Sequence, residues 1–378
     1  MSARVAADSP VLTLRELNRA ALARQMLLKR ESVPIVSAVE RLAALQAQWA
    51  PSPYIALWSR LKDFDRASLW NAIEKKRTVI RARLMRGTLH LVSARDFYAY
   101  AVATQDLQRG AWNRLQVGQG VDPKAVAKLA VAFAREPRAK EDVVAHLTEN
   151  LGSFGGPYKW LIWRFVSAHA DLVSAPPGGH WAYGGTDAPY VAARHWIASG
   201  SRPSEEDAIR LLITRYLGAF GPASLADIAQ FAGQAPPRIR PVLEQLVPTL
   251  RRFTDEQGRA LFDLPRAPRP DADTKAPVRF LPRYDELLIG YKHRDRVIAA
   301  KHRATIYTKN ALIEAVFLID GVAAGTWALV TTRTDAVLNI RPFGALPRAI
   351  RAAAIEEGEA LARFIASDAK THGARVLG

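Results

Sequence analysis

The sequence predicts an α+β protein made of three tandem winged-helix domains followed by a small C-terminal β-barrel with one packed helix. Three times along the chain, helical periodicity gives way to two short stretches that alternate like the strands of a ribbon. Beyond a segment rich in Pro, Asp and Ala at 266–277, the periodicity is mostly that of strands. The predicted domains are 11–120, 121–202, 203–270 and 275–378.

The first unit contains helices on both sides of a predicted wing. Two strands, 79–84 and 87–92, alternate around a turn at Arg86-Gly87, with an apolar side that we expect to pack on the helices. Ser93 and Asp96 have the spacing of a capping box that opens a helix at Phe97. The preceding helices are predicted from apolar residues at helical spacing over 12–29, 36–45, 54–61 and 68–76, the last capped by Asp65 or Ser68.

The second and third units repeat this order. In the second, helices over 138–147 and 160–168 precede strands at 172–175 and 180–183, which flank the turn-forming run Pro176-Pro-Gly-Gly179. In the third, Ser204 and Asp207 are candidate caps for a helix that runs to Phe220. Helices at 224–232 and 241–247 follow, and strands at 250–254 and 259–263 form the third ribbon.

The last part of the chain reads as a small, partly open barrel closed by a long helix. Asp320-Gly321 and Ala324-Gly325 supply the turn chemistry that joins neighbouring strands. Strands are predicted at 278–281, 304–307, 315–320, 326–330 and 336–341, and an Ala-rich helix at 347–366.

The charge of the chain indicates a polyanionic partner. Lys plus Arg exceed Asp plus Glu by 53 − 36 = 17, and neutralising phosphates supplies most of the sequence-independent affinity for nucleic acid. A ribosome-bound or membrane-surface protein would carry the same excess of positive charge, so charge alone does not distinguish these classes of protein. The chain has no apolar stretch long enough for a membrane span and opens on a short polar tail, so we expect a cytoplasmic protein.

Several kinds of catalytic site are excluded or unsupported. Cysteine is absent, which excludes disulfides, thiolate metal sites and a Cys nucleophile. The eight histidines are scattered without a His-Glu-x-x-His motif, and no phosphate-binding P-loop is present. We therefore expect neither a metal nor a cofactor.

Two glutamines, Gln46 and Gln48, are the candidate catalytic residues. Gln46 continues the buried face of a predicted helix, and Pro51 and Pro53 forbid that helix to continue. If the chain already straightens at Gln46, a period of two points both carboxamides the same way, where they would hold one water or one base edge. The alternative is that they only cap backbone groups at the end of the helix.

A row of polar residues along the first wing predicts a DNA-binding face. Guanidinium groups match phosphate oxygens and a Thr hydroxyl adds a neutral donor, although an ordinary solvated strand face would look the same. Basic residues recur at the other ribbons and suit a basic track along a duplex. The candidate DNA-binding residues are Arg81, Arg83, Arg86, Thr88, His90, Lys159, Arg164, Arg251 and Arg252.

Asp285 and Glu286 are adjacent carboxylates near the start of the C-terminal part. Together they would be candidates for a cation site or a general base. Successive residues of a strand face opposite sides, however, so the sequence favours a structural role for both.

Four segments together resemble the AlkZ/YcaQ family of bacterial DNA glycosylases, and the resemblance runs from about Leu12 to the final helix. The family's three tandem winged helices and C-terminal barrel agree with the units above. Its catalytic signature is Gln-apolar-Gln or Gln-apolar-Asp, and the resemblance assigns that role to Gln46 and Gln48, with Thr88 and His90 at the DNA-binding surface. The segments are Ala44-Leu-Gln-Ala-Gln48, Arg86-Gly-Thr-Leu-His-Leu91, Phe280-Leu-Pro-Arg-Tyr-Asp-Glu286 and Asp320-Gly-Val-Ala-Ala-Gly-Thr-Trp327.

The resemblance implies removal of N7- or N3-alkylated purines and, in some members, unhooking of interstrand crosslinks. A purine alkylated at N7 is cationic and leaves as a neutral base, so a glutamine that orients a water without taking its proton suits this substrate. We expect Gln48 to position the water while Gln46 shares it or contacts the nucleotide. No Lys occupies the motif to form a Schiff base, so we expect hydrolysis without strand cleavage.

Two other functions fit the same winged-helix pattern. One is a non-catalytic transcriptional regulator, which usually repeats a recognition helix by symmetry and carries a dimerisation region. The other is a protein that binds DNA damage without cutting it. Three unlike units in one chain favour the glycosylase, acting as a monomer on double-stranded DNA that is alkylated or crosslinked.

Overall fold

The computed structural model describes residues 9–114, 122–152, 162–163, 166–167, 169–185, 187–198, 200–309 and 312–377, without the side chains of 106–114. Side-chain caps begin several of its helices: Thr13, Asp65, Ser204 and Ser224 each accept a hydrogen bond from a backbone N–H in the first turn. The helices α1 to α14 span Leu14–Arg24, Ile35–Arg41, Ser52–Trp58, Arg66–Glu74, Ala94–Arg114, Pro123–Phe133, Lys140–Leu151, Ala193–Trp196, Glu205–Phe220, Leu225–Ala232, Pro236–Leu246, Glu286–Ile289, Arg303–Ile306 and Arg348–Ile365.

The strands of the described residues form three sheets. The first has the order β2-β4-β3-β5-β6, the second β1-β7-β8 and the third β13-β12-β11-β10-β9. Strands β1 to β13 span Val11–Leu12, Leu45–Gln46, Val79–Arg83, Leu89–Ser93, Leu172–Ser174, Tyr190–Ala192, Arg251–Asp255, Ala260–Asp263, Arg279–Leu281, Val316–Ile319, Val322–Thr331, Asp335–Pro342 and Thr371–Val376.

The first sheet joins the ribbons of the first two units. The predicted wing is confirmed as the antiparallel pair β3–β4, and β5 extends it because Ala82 pairs with Val173. The predicted strand at 180–183 is wrong, since the partner of β5 is β6. Residues 178–183 instead form turns that pack on α3: the Tyr54 hydroxyl donates to the Gly179 carbonyl, and Trp181 contacts the Tyr54 ring edge-on at 5.5 Å.

Two predicted helices are shorter than expected because the chain takes a positive φ near their ends. The first ends at Arg24, before Met26 at φ 55°, and its predicted start is strand β1, which pairs in parallel with β7. The second ends at Arg41, and Ala43 at φ 64° reverses the chain before β2. The spacing of apolar residues does not reveal either reversal, because Met26 and Ala43 are both buried.

Other boundaries also differ from the prediction. The segment 304–307, predicted as a strand, lies largely in the short helix α13. The helix predicted at 241–247 begins earlier, at Pro236, where the missing N–H of proline costs nothing. Part of the helix predicted at 160–168 lies outside the described residues.

The third sheet is open among the described residues, so the predicted small, partly open β-barrel is not confirmed. Its strand β13 was not predicted and pairs in parallel with β12. Leu361 and Ala362 of α14 share a buried cluster with Leu338 and Ile340 of β12, which confirms the packed helix. Within the described chain, no helix is long and apolar enough to cross a bilayer.

The irregular segment predicted at 266–277 is confirmed, and arginines of α1 hold it in place. Arg15 donates to the Ala272 carbonyl at 2.8 Å, Arg19 to that of Thr274 at 2.6 Å, and Arg24 to that of Pro268 at 3.2 Å. The first helix of the chain therefore fixes the connection between the third unit and the C-terminal sheet.

Candidate active site

The Gln-Ala-Gln run lies on a short extended segment, not on a helix. Strand β2 pairs antiparallel with β4 so that Gln46 lies opposite His90, and the Ala47 N–H donates to the Leu89 carbonyl at 2.7 Å. The extended geometry that the sequence left open is therefore the one that forms. It places the two glutamines beside β4, which has His90 near its start and Thr88 just before it.

The two glutamines differ in how firmly they are held. Gln46 is only 7% exposed, and its Oε1 accepts a hydrogen bond from Arg86 Nη2 at 3.2 Å. Gln48 is exposed, and its Oε1 lies 3.4 Å from the Leu89 N–H, a long hydrogen bond. Because Arg86 binds the oxygen of Gln46, the orientation of that carboxamide is fixed and its NH₂ is left to donate, whereas the long hydrogen bond of Gln48 holds its oxygen less firmly.

Arg86 connects the glutamine run to three other segments. It lies in the turn of the wing at φ 52°, and its Nη1 donates to the Phe231 carbonyl of α10 at 2.7 Å. Its Nη2 lies 3.2 Å from Gln46 Oε1, 3.1 Å from His90 Nε2 and 2.5 Å from Glu286 Oε1. One guanidinium nitrogen thus touches an amide, an imidazole and a carboxylate.

Gly233 allows the third unit to approach this arginine. It ends α10 in the left-handed conformation at φ 70°, and an added Cβ would lie 2.6 Å from the Cα of Arg86. A side chain at this position would push α10 away from the wing. The glycine is therefore part of what holds Arg86 in place.

His90 and Glu286 form a buried pair beside Arg86. His90 is fully buried, with Nδ1 3.0 Å from the Thr88 carbonyl and Nε2 3.0 Å from Glu286 Oε1. A carbonyl only accepts, so Nδ1 carries a hydrogen. Burial lowers the pKa of His90 and outweighs the opposing effect of Glu286. With its hydrogen on Nδ1, the neutral ring accepts from Arg86 at Nε2, and only the imidazolium form donates to Glu286. Burial alone would raise the pKa of Glu286, but the charge of Arg86, together with the contact to His90, holds that pKa below its ordinary value.

Comparison with known proteins identifies the family. The model of the AlkZ-like DNA glycosylase family matches residues 39–364, which include the glutamine run, the wing and Glu286. The chain belongs to the AlkZ-like DNA glycosylase family. A curated relative, the interstrand DNA cross-link repair glycosylase of Streptomyces sahachiroi, is 27% identical over 344 residues, covering 85% of this chain and 88% of the relative.

The solved structure of the Streptomyces sahachiroi DNA glycosylase AlkZ has the same fold. It aligns with a TM-score of 0.77 at 19% identity, over 97% of this chain and all of the relative's chain. The mixed α+β architecture of this AlkZ-like glycosylase is thereby shown, and the proposal of a purely regulatory protein is not favoured.

The residues predicted to bind DNA fall into separate groups in this AlkZ-like protein. The prediction of an outward-facing row along the wing is wrong for His90, because its side chain is fully buried and lies against Glu286. Arg81 is also buried, and its guanidinium donates to the carbonyl of Ala47, in the middle of the glutamine run, at 3.3 Å. Thr88 donates to the Met85 carbonyl at 3.2 Å, and Arg83 to the Gly87 carbonyl at 2.5 Å.

The remaining candidates lie elsewhere. Arg251 and Arg252 are exposed on β7, which belongs to a different sheet from the glutamine run. Lys159 and Arg164 lie outside the described residues. The structure therefore brings together Gln46, Arg86 and His90, and does not bring the exposed arginines of the third ribbon to them.

The sequence interpretation missed Glu286 as a site residue. The structural role predicted for Asp285 agrees with the structure, since both its oxygens accept from Arg60 at 2.9 Å and both side chains are 1% exposed. Glu286 points instead to Arg86 and His90. The strand alternation on which the sequence argument relied does not apply, because Asp285 caps the short helix α12 and Glu286 is its first residue. No cluster of three or more His, Asp or Glu able to hold a metal is found among the described residues.

The buried imidazole predicts a pH dependence of stability. Since its pKa is lowered by folding, the unfolded chain binds more protons at this site below about pH 6.5, and the free energy of unfolding falls as the pH drops. We expect a shallower fall between pH 7.5 and pH 5 in His90→Gln than in wild type, measured by urea unfolding at several pH values. His372→Gln, outside the cluster, is the control. Parallel curves for wild type and His90→Gln would contradict the prediction.

Proposed function

We propose that this AlkZ-like DNA glycosylase hydrolyses the N-glycosidic bond of cationic N7- or N3-alkylated purines in double-stranded DNA. The observation that carries the proposal is the pairing of an exposed Gln48 with a Gln46 whose oxygen is held by Arg86. A pair of neutral carboxamides can orient a water but cannot take its proton. Such a site suits a base that already carries a positive charge, because that base needs little help in leaving.

The geometry supports different roles for the two side chains. Gln48 has its oxygen available to accept a hydrogen bond from a water and to place that water beneath the sugar. Its carbonyl dipole also stabilises the positive charge that develops on the sugar. Gln46 has its NH₂ available to donate to the same water or to the nucleotide. We accordingly propose Gln48 as the water-positioning residue and Gln46 as its partner.

We extend the proposal to interstrand crosslinks joined through alkylated purines. The curated relative is named for cross-link repair, and the bond to be broken at each end of such a crosslink is the same glycosidic bond. A Gln48 that is exposed, with only a long hydrogen bond to the protein, leaves room at the water-positioning side for a bulky adduct.

We further propose how the chain meets DNA. The order of helices and ribbons supports winged-helix domains at 11–120, 121–202 and 203–270, followed by a C-terminal domain at 275–378. Arg251 and Arg252, exposed on the third ribbon, are proposed phosphate contacts together with Arg83, Lys159 and Arg164. Arg81, Arg86, Thr88 and His90 are proposed to support the glutamines from within. We propose a monomer without a cofactor, acting in the cytoplasm.

The substrate range tests this function. In single-turnover assays with excess protein, we expect excision of N7-methylguanine from a duplex, detected by alkaline cleavage at the abasic site. We expect little excision of uracil, which leaves as an anion unless it is protonated. Without alkali the strand should stay intact, since the motif offers no Lys for a Schiff base. Uracil excision as fast as that of N7-methylguanine, or strand cleavage without alkali, would contradict the proposal.

A further inference from the structure

We propose that Glu286 is a positioning residue for this reaction: its carboxylate holds Arg86 so that Arg86 fixes the orientation of the Gln46 carboxamide. The inference rests on the proposed function of the glutamine pair. It assigns a role to a residue that lies 200 positions from Arg86 in the sequence and touches neither glutamine by a hydrogen bond of its own.

The ion pair between Glu286 and Arg86 has an unusual arrangement for a buried pair. Only Oε1 of Glu286 is used, by Arg86 Nη2 and His90, and no donor among the described residues reaches Oε2, which is also buried. Leaving a buried carboxylate oxygen without a donor is unfavourable. The neighbouring pair of Asp285 and Arg60 shows the common alternative, with both oxygens bound by one guanidinium.

The one-sided contact has a consequence for Gln46. A two-oxygen contact of the kind that Arg60 makes with Asp285, through Nη1 and Nη2, would draw both terminal nitrogens of Arg86 toward the carboxylate. With one oxygen in use, Nη1 reaches the Phe231 carbonyl and Nη2 also reaches Gln46 Oε1. The pair of Glu286 and Arg86 therefore has one hydrogen bond fewer than it could form, and Nη2 of Arg86 also donates to Gln46.

The orientation of the Gln46 amide depends on this arginine. Oxygen and nitrogen of a carboxamide differ only in accepting or donating, and rotation by 180° exchanges them. Arg86 can only donate, so it selects the orientation in which the oxygen faces inward and the NH₂ is left for the nucleotide or water. Without the Glu286 charge, Arg86 loses its closest contact, at 2.5 Å, and the choice between the two orientations weakens.

Glu286→Gln tests the proposal, with Asp285→Asn as the matched control. Both replace a buried carboxylate by its amide at adjacent positions. For Glu286→Gln, we expect the single-turnover rate constant for N7-methylguanine to fall about 10- to 100-fold, the scale of a misplaced catalytic group, while the protein concentration giving half-maximal rate changes little. For Asp285→Asn, we expect lower thermal stability and an unchanged rate constant for the folded protein. A wild-type rate constant in Glu286→Gln would overturn the proposal.

A double-mutant comparison separates positioning from a structural effect. If Glu286 acts through Gln46, then Glu286→Gln adds no further loss of rate in a Gln46→Ala background, whereas its effect on stability persists. An equal fold-loss of rate in both backgrounds would overturn the proposal. Where Glu286→Gln does not fold, Glu286→Asp, which moves the same charge by one methylene, serves in both comparisons.

A readout without DNA distinguishes this proposal from the proposed function. The side-chain NH₂ signals of Gln46, assigned by their loss in Gln46→Ala, are expected to shift and broaden in ¹⁵N spectra of Glu286→Gln and to stay in place in Asp285→Asn. Unchanged signals in Glu286→Gln would overturn the positioning role even if the wild type excises N7-methylguanine. Shifted signals in a protein that excises no alkylated purine would support the positioning role and contradict the proposed function.

Discussion

Gln48→Ala is expected to lower the single-turnover rate constant for N7-methylguanine excision about 100- to 1,000-fold, the usual loss when one preorganised polar group is removed from a reacting centre. The side chain is exposed and makes one long hydrogen bond to the protein, to the Leu89 N–H. Its removal therefore costs the fold little, and almost all of the effect should appear in the chemical step. DNA binding, measured by fluorescence anisotropy on an undamaged duplex, should change less than about threefold, since Gln48 carries no charge.

A set of substitutions at this position tests what the glutamine supplies. Gln48→Asp keeps an acceptor and adds the ability to take a proton, so we expect it to retain more activity than Gln48→Ala. Gln48→Leu keeps the volume and removes the polar atoms, so we expect it to be as impaired as Gln48→Ala. Gln245→Ala, at an exposed glutamine that accepts from Arg210, is the control and should match wild type. Full activity in Gln48→Leu would show that the water is positioned by another group.

The sequence predicted the parts of the site that are local in the chain. The glutamine run and the wing at Arg86-Gly87 lie within a few dozen residues, and periodicity or turn chemistry predicts each of them. The predicted proline stop is wrong, because α2 already ends at Arg41 and Pro51 and Pro53 lie at the start of α3. Asp65, Ser93 and Ser204 were placed at helix starts by their side-chain chemistry, and each accepts the expected hydrogen bond. Such features are fixed by neighbours in sequence.

The parts that the sequence did not predict depend on distant contacts or on single backbone angles. Glu286 reaches Arg86 only because the C-terminal part of the chain folds back on the wing. The reversal at Ala43 turns a continuous apolar pattern from helix to strand. Trp181 packs on Tyr54 and Phe364 and so draws its segment away from the sheet in which it was predicted. None of these features produces a periodic pattern of apolar and polar residues from which it could be predicted.

The burial of His90 shows how a correct pattern led to a wrong orientation. The sequence placed Arg86, Thr88 and His90 on one side of the wing, and Arg86 and His90 do meet at 3.1 Å. The prediction then assumed that a polar side faces solvent. In this structure β2 pairs with β4 and Glu286 covers the imidazole, so the polar residues form an internal network. A buried polar group is tolerated when it has a hydrogen-bonding or charged partner, and the partner of His90, Glu286, comes from outside the first unit.

Arg60→Met is expected to lower the free energy of unfolding by about 3–5 kcal/mol, because it leaves the buried Asp285 without its charge partner. The Arg60 guanidinium binds both oxygens of Asp285 at 2.9 Å and also donates to Gln25 Oε1 at 3.1 Å. These contacts join the end of α1 and the residues after α3 to the start of α12. The pair therefore connects the first unit to the segment that carries Glu286.

The partner substitution separates the ion pair from packing. In a double-mutant cycle with urea unfolding, Arg60→Met combined with Asp285→Asn should destabilise less than the sum of the two single substitutions, since the double variant leaves no unpaired charge. Arg303→Met, which breaks the exposed pair with Asp295 at 40% and 45% side-chain exposure, should cost less than about 1 kcal/mol. Were Arg60→Met no more costly than Arg303→Met, the buried pair would not be what anchors the Glu286 segment to the first unit.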